Sequence, residues 1–253
     1  MKGNIYYCAL FLANLVVHLT LHFLRESDTT FDLFNLTIGI GITKLLVVIF
    51  AVAILIKSEE KANQFLWIYW GLILGWFGDL FLYLSDNLEI LTGIDLSTDP
   101  MPFYFFLMGL ISFLAGHVLY IIGFTKDRKD AKLEGRNFKA SNIVLSTIGL
   151  VTLYAVSVFS ILYNNLNELK VPVLAYVVVI MLMVITAVKR STSYKNYFTI
   201  VLGALLFVLS DTILAFSIFT DFSVYAPLLV MSTYGFAQIL IAIGYAQGDQ
   251  TFD

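Results

Sequence analysis

The chain has 253 residues, 59% of them hydrophobic and 13% charged, with a formal net charge of −3 and a mean hydropathy of +0.87. Soluble domains are nearer half apolar and a quarter charged, so a water-soluble fold of this length is excluded and an integral membrane protein is expected. The weak acidic balance argues against nucleic acid as a partner, and the single cysteine, Cys8, excludes an intramolecular disulfide.

A helix needs about 20 mostly apolar residues to cross the hydrocarbon core, and eight stretches qualify, predicting one all-α transmembrane domain over residues 1–253. The first, 5–24, starts almost at the N-terminus and has no clear small-x-small cleavage site, so it reads as a retained helix rather than a signal peptide. Asn14, His18 and His22 are spaced by four along it and share one helix face. The second, 34–56, carries Lys44, and the third, 64–85, carries Asp79. Asp86, Glu89, Asp95 and Asp99 are expected in the connection that follows, where Pro100 and Pro102 break the chain before the fourth span. That span, 102–124, holds His117 and Tyr120, and a basic loop over 126–139 comes after it. The fifth is 142–163. The sixth, 171–188, has Pro172 in its first turn and Tyr176 beyond; the seventh, 197–219, holds Ser210 and Asp211; the eighth, 224–245, has Pro227 near its start and Gln238 inside.

An even number of spans puts both chain ends on one side. On that side lie Lys2, Lys57, Lys61, Lys126, Arg128, Lys129, Lys132, Arg136, Lys139, Lys189, Arg190 and Lys195, against Arg25 and Lys170 on the other. The positive-inside rule then places both termini in the cytoplasm.

The two halves read as copies of one four-helix unit. Lys44 to Asp79 is 35 residues, as is Tyr176 to Asp211, and His117-x-x-Tyr120-x-x-Gly123 in span four aligns with Gln238-x-x-Ile241-x-x-Gly244 in span eight. Lys44 thus corresponds to Tyr176, Asp79 to Asp211 and His117 to Gln238. Four helices per unit means that both copies insert with the same orientation, about an axis along the membrane normal. The repeat brings the two aspartates to equivalent depths, roughly 22 Å from the cytoplasmic ends at about 1.5 Å per residue.

A charge near the bilayer centre costs about 2.5–3.5 kcal/mol even on the lenient insertion scale, so intramembrane ionisable residues face a protected interior and mark a site. Asp79 and Asp211 are the candidate catalytic pair: two buried carboxyl groups, one carrying a proton and one ionised, are what acid–base hydrolysis uses. The bland alternative is that each neutralises a neighbour and locks helices together. Lys44 either holds one aspartate ionised or binds a phosphate oxygen, and its depth disfavours snorkelling to an interface. His117 with Tyr120 can shuttle protons or bind a head group, or simply bond two helices. Tyr176, Ser210 and Gln238 are supporting candidates. His18 and His22 with an aspartate make a less favoured metal alternative, since zinc takes both residue types.

At these residues the chain resembles the YhhN-type lysoplasmalogenase family of eight-span membrane proteins. The resemblance rests on Lys44 in span two, Gly78-Asp79 with Leu82, Phe113-x-x-x-His117-x-x-Tyr120, and Gly203-Ala204-x-x-Phe207-x-x-Ser210-Asp211, extended by Tyr234 and Gln238. The family often has proline after the span-two lysine; here it is Leu45. The resemblance implies hydrolysis of the vinyl-ether bond of a lysoplasmalogen, a lysophospholipid, to a fatty aldehyde and a glycerophospho head group. It implies no cofactor, and the expected setting is a bacterial inner membrane. The residues suit that chemistry independently, because vinyl-ether cleavage asks for a proton donor and a carboxylate that steadies positive charge, as glycoside hydrolysis does. An amphiphilic substrate could enter sideways from the lipid. Three other readings fit the same residues: a proton-coupled transporter, a metal-dependent membrane lipid hydrolase using His18 and His22, and a non-catalytic lipid-binding subunit. Chelator sensitivity separates the second, and turnover lost on mutating the aspartates separates the third.

Overall fold

The computed structural model describes residues 2–27, 32–57, 65–133, 141–191, 197–220, 222–223 and 225–246. Among them are eight α-helices and no strand: α1 (Lys2–Glu26), α2 (Leu33–Lys57), α3 (Leu66–Thr92), α4 (Met101–Leu133), α5 (Ser141–Leu162), α6 (Lys170–Ser191), α7 (Tyr197–Phe219) and α8 (Ala226–Ala246). All eight are long and apolar enough to cross a membrane. The protein is an all-helical integral membrane protein, as a backbone in lipid must satisfy its own polar groups.

Two helices outrun the hydropathy pattern. α3 continues beyond 85 to Thr92, so Asp86 and Glu89 belong to its last turns rather than to the connection. It stops at Gly93, whose φ of 68° is left-handed and whose N–H caps the Glu89 carbonyl. α4 continues past 124 to Leu133, so the first part of the basic 126–139 stretch is helix and not loop; its remainder lies outside the described residues. Apolar content ends where the hydrocarbon ends, whereas a helix ends where its backbone is capped. Pro102, Pro172 and Pro227 fall in the first turns of α4, α6 and α8, where a missing N–H costs nothing.

Six helices close a ring, α2 against α3, α3 against α4, α4 against α6, α6 against α7, α7 against α8, and α8 back on α2. α1 packs outside on α2 and α8, and α5 outside on α6 and, more lightly, α7. The repeat is visible in this packing. A Cβ on Gly71 of α3 would come 3.2 Å from the Gly116 carbonyl of α4, and one on Gly203 of α7 would come 3.0 Å from the Ala237 carbonyl of α8. Likewise Gly123 abuts Ile68 and Gly244 abuts Ile200. Each pair maps onto the other in the register that equates Asp79 with Asp211 and His117 with Gln238. Small residues at these crossings let backbones approach where no hydrophobic effect drives helices together.

On the face that carries both chain ends, Arg190 Nε of α6 bonds Asp127 Oδ2 of α4 at 2.7 Å and lies 4.4 Å from the Tyr245 ring of α8. The core follows the ring: Phe11, Val47, Ile68, Leu72, Phe124, Met183, Phe207 and Ile241 are fully buried.

The crossing gives a prediction. Gly116→Ala forces a methyl to within 3.0 Å of the Gly71 carbonyl and is expected to cost about 1–3 kcal/mol. Gly149→Ala, which meets nothing within 4 Å on exposed α5, is expected to be neutral or to stabilise by up to about 1 kcal/mol. Thermal melting in detergent reads both; equal effects at the two positions contradict the close α3–α4 crossing.

Candidate functional site

Inside the ring, towards the face away from the chain ends, lies a chamber of about 580 Å³. Lys44, Asp79, Tyr234, Phe113, Ser210 and Asp211 form its inner wall. His22, Arg25, Asp86 and Asn87 reach it from α1 and α3 nearer that face, and Pro102, Phe103 and Pro227 lie at its edge. Both aspartates therefore face one cavity, and each arrives on the same helix of its repeat unit.

Asp79 is 2% exposed and is surrounded by partners. Lys44 Nζ lies 3.8 Å from its Oδ1, and Tyr234 Oη donates to its Oδ2 at 2.7 Å. Behind Tyr234 the bonds continue: Gln238 Nε2 donates to Tyr234 Oη at 3.0 Å, and Tyr120 Oη donates to Gln238 Oε1 at 2.7 Å. Every donor in this chain points towards Asp79, so the dipoles add. Asp211 is less enclosed. Tyr176 Oη donates to its Oδ2 at 2.7 Å, and His117 Nε2 stands 3.9 Å from the same oxygen, beyond hydrogen-bond reach. The 35-residue correspondence is thus a structural one: Lys44 meets Asp79 and Tyr176 meets Asp211.

His117 is 1% exposed and wedged edge-on against Phe207 and Tyr176, with ring centroids 4.7 and 5.5 Å away. Neither ring nitrogen has a well-aligned hydrogen-bond partner among the described residues; the Phe113 carbonyl one turn back is at most a weak one. A buried polar group left so is costly and unusual.

Other candidates fall elsewhere. Tyr120 and Gln238 do not line the chamber; they reach Asp79 through Tyr234. Ser210 lines it while its hydroxyl donates to the Val230 carbonyl of α8 at 3.2 Å. His18 Nδ1 lies 2.7 Å from Thr43 Oγ1, and Asn14 Nδ2 donates to the Thr43 carbonyl at 2.8 Å, so this face of α1 fastens it to α2. His22 stacks edge-on to His18 at 4.8 Å and faces the chamber. Among the described residues no group of three His, Cys, Asp or Glu is placed to hold a metal ion.

Tyr234, Arg25 and Asp86 are site residues that the sequence reading did not count as such. Tyr234 carried a signal: it is one turn before Gln238 and occupies the repeat position of Phe113. Arg25 donates through Nη1 to Asn87 Oδ1 at 3.1 Å, a pairing across 62 positions that no local pattern announces.

Removing one member of a buried ion pair leaves the other uncompensated, at about 3–5 kcal/mol. Lys44→Met is therefore expected to destabilise the protein by about that amount, and adding Asp79→Asn, whose amide still accepts from Tyr234, is expected to recover much of the loss. Thermal melts of both variants and the double check this; additive losses mean that the two side chains are not coupled.

No curated protein and no solved structure matches this sequence. A family model does match, over residues 40–245, from the middle of α2 to the end of α8 and so across the whole ring; the chain belongs to the YhhN family.

Proposed function

We propose that the protein hydrolyses the vinyl-ether bond of a lysoplasmalogen, releasing a fatty aldehyde and a glycerophospho head group. The observation that carries this is that two carboxyl groups, in equivalent places of the two repeat units, face one chamber with different partners. Family membership supports a protein of this type.

The partners divide the work. Asp79, with a cation at 3.8 Å and a donated hydrogen bond, has what an ionised carboxylate needs at this depth. Asp211 has one phenol donor, and the nearest basic group among the described residues is the His117 imidazole at 3.9 Å, a cation only when protonated. A single donated bond to a charged group is worth about 1.5–3 kcal/mol, no more than the cost of the charge itself, about 2.5–3.5 kcal/mol, so Asp211 is the group that carries a proton. It delivers that proton to the second carbon of the alkenyl chain. The vinyl π electrons form the new C–H bond, and positive charge spreads over the first carbon and the ether oxygen. Asp79 steadies this oxocarbenium ion and takes a proton from the water that attacks the first carbon. The hemiacetal hydroxyl then gives its proton to Asp211 while the bond to the glycerol oxygen breaks and that oxygen takes the proton from Asp79, leaving the aldehyde. Both carboxyl groups are thereby back in their starting states, with the His117 imidazole 3.9 Å from the reprotonated Asp211. No cofactor enters these steps. Arg25 and His22, nearer the mouth of the chamber, suit the phosphate of the head group.

The excess of lysine and arginine on the face that carries the chain ends supports cytoplasmic termini, with the chamber opening to the outer side. A cysteine at Ser97 is then expected to react with an impermeant maleimide in intact cells and one at Lys57 only after lysis; the reverse pattern inverts the orientation.

Aldehyde release from a lysoplasmalogen by protein in detergent tests the activity. Asp211→Asn and Asp79→Asn, assayed below the melting temperature of each variant, are each expected to lose about 10²–10⁴-fold in kcat, a saturated 1-alkyl ether is expected to remain uncleaved, and chelator is expected to change nothing. No aldehyde from folded wild-type protein overturns the substrate; loss with chelator overturns the mechanism.

A further inference from the structure

Beside the chamber lies a second, smaller cavity of about 90 Å³ with different chemistry. It is enclosed by α4, α5, α6 and α7, and its wall is almost wholly apolar, with Leu110, Ala155, Val158, Val177 and Ala215 among its lining. Seven residues line both cavities, and Asp211 is the only polar one among them; the others, Phe113 and Leu82 included, are apolar. Tyr176, which holds Asp211, faces the apolar side, while Lys44 and Asp79 face only the polar one. One wall is α5, the least embedded helix: among its described residues only Leu162 is buried. A hydrogen bond from Tyr154 Oη to Thr212 Oγ1, 2.9 Å, spans from α5 to α7 within this lining.

A polar chamber that shares one wall with a narrow apolar groove, with a single acid on that wall, matches a single-chain amphiphile, head in one and tail in the other. We infer that the groove between α4 and α5 seats the hydrocarbon chain of the substrate, which enters from the lipid on that side and places its head-proximal carbons against Asp211. This rests on the proposed hydrolysis and sharpens it. The carbon that takes the proton belongs to the chain, one bond further from the head than the carbon that water attacks. A chain seated here presents that carbon to Asp211 and the ether oxygen towards Lys44 and Asp79. Ala155 and Ala215 become specificity-determining positions, since their small side chains leave the space a chain needs.

The test uses the full-length protein in bilayer nanodiscs with a 1-O-alkyl lysophosphocholine carrying a diazirine near the chain end, a saturated ether that resists cleavage, so that binding is read without turnover. Photolabelling is expected on peptides of α5 and α6 that contain Ala155 and Val177. It is expected to fall at least about tenfold, equivalent to about 1.4 kcal/mol, in Ala215→Trp and in Ala155→Trp. Val156→Trp, on the 58% exposed side of α5, is expected to label as wild type. Should Ala215→Trp fail to fold, Ala155→Trp on the least embedded helix decides. Labelling that spreads over lipid-facing residues and ignores the folded tryptophan variants overturns the chain site, even where aldehyde release stands. Groove labelling with no aldehyde from any vinyl ether supports the chain site and overturns the hydrolysis instead.

Discussion

A carboxylate at bilayer depth must bring its own solvation, and the architecture of this protein follows from how Asp79 obtains it. Its partners come from both halves of the chain: Lys44 from α2 of its own repeat unit and Tyr234 from α8 of the other. The hydrogen bond to Tyr234 crosses 155 positions, so the site cannot form until the two units close on each other. The same closure puts α2 on α8 and α4 on α6 and lets the glycine crossings within each unit share one ring. A charge worth about 2.5–3.5 kcal/mol of penalty is here tied to the docking of the halves, and Gln238 and Tyr120 extend that tie into α4.

Duplication supplies two equivalent sites, and divergence makes them unlike. Where the first unit has Lys44, the second has Tyr176; where the second has Tyr234, the first has Phe113. Asp79 has a cation and a phenol beside it, while Asp211 has a phenol and a neighbouring imidazole. Two chemically different acids facing one chamber are what a reaction with separate proton-donating and charge-steadying steps requires. Retained symmetry, with a lysine or a tyrosine at both places, would give two like groups and no division of labour.

The sequence made much of this legible, because lipid imposes simple rules. Eight apolar runs announced eight helices, and the 35-residue spacing announced that Lys44 and Tyr176 stand in equivalent relation to Asp79 and Asp211. What periodicity could not reach was where α3 and α4 end, since Asp86, Glu89 and Lys126 leave the hydrocarbon while still helical. Nor could it give the partners between units. The position of Tyr234 one turn before Gln238 puts it on the right face of α8, but nothing local tells that its hydroxyl meets Asp79 in the other unit. Tyr120 reads as a site residue from its spacing to His117, yet its hydroxyl turns to Gln238: spacing fixes the face of a helix, whereas packing decides which neighbour a side chain on that face meets.

The two outer helices carry the asymmetry furthest. α1 and α5 hold the same place in their units, but α1 is fastened to α2 by Asn14 and His18 on Thr43 and reaches α8 through Phe11, whose ring stands 5.9 Å from that of Phe236. α5 is pinned at its far end, where Leu162, Leu166 and Val173 form a small cluster of their own, and the Tyr154–Thr212 hydrogen bond ties it to α7. Helices with few buried contacts open at low free-energy cost. The proposed hydrolysis, with a substrate drawn from lipid and water as the second reactant, calls for two entrances of opposite character. Arg25, which also ties α1 to Asn87 of α3, lines the chamber, whereas the residues of α5 that face inward, Ala155 and Val158 among them, line the apolar groove beside Asp211. The difference between the two outer helices is therefore part of the site, set by the same divergence that made one aspartate unlike the other.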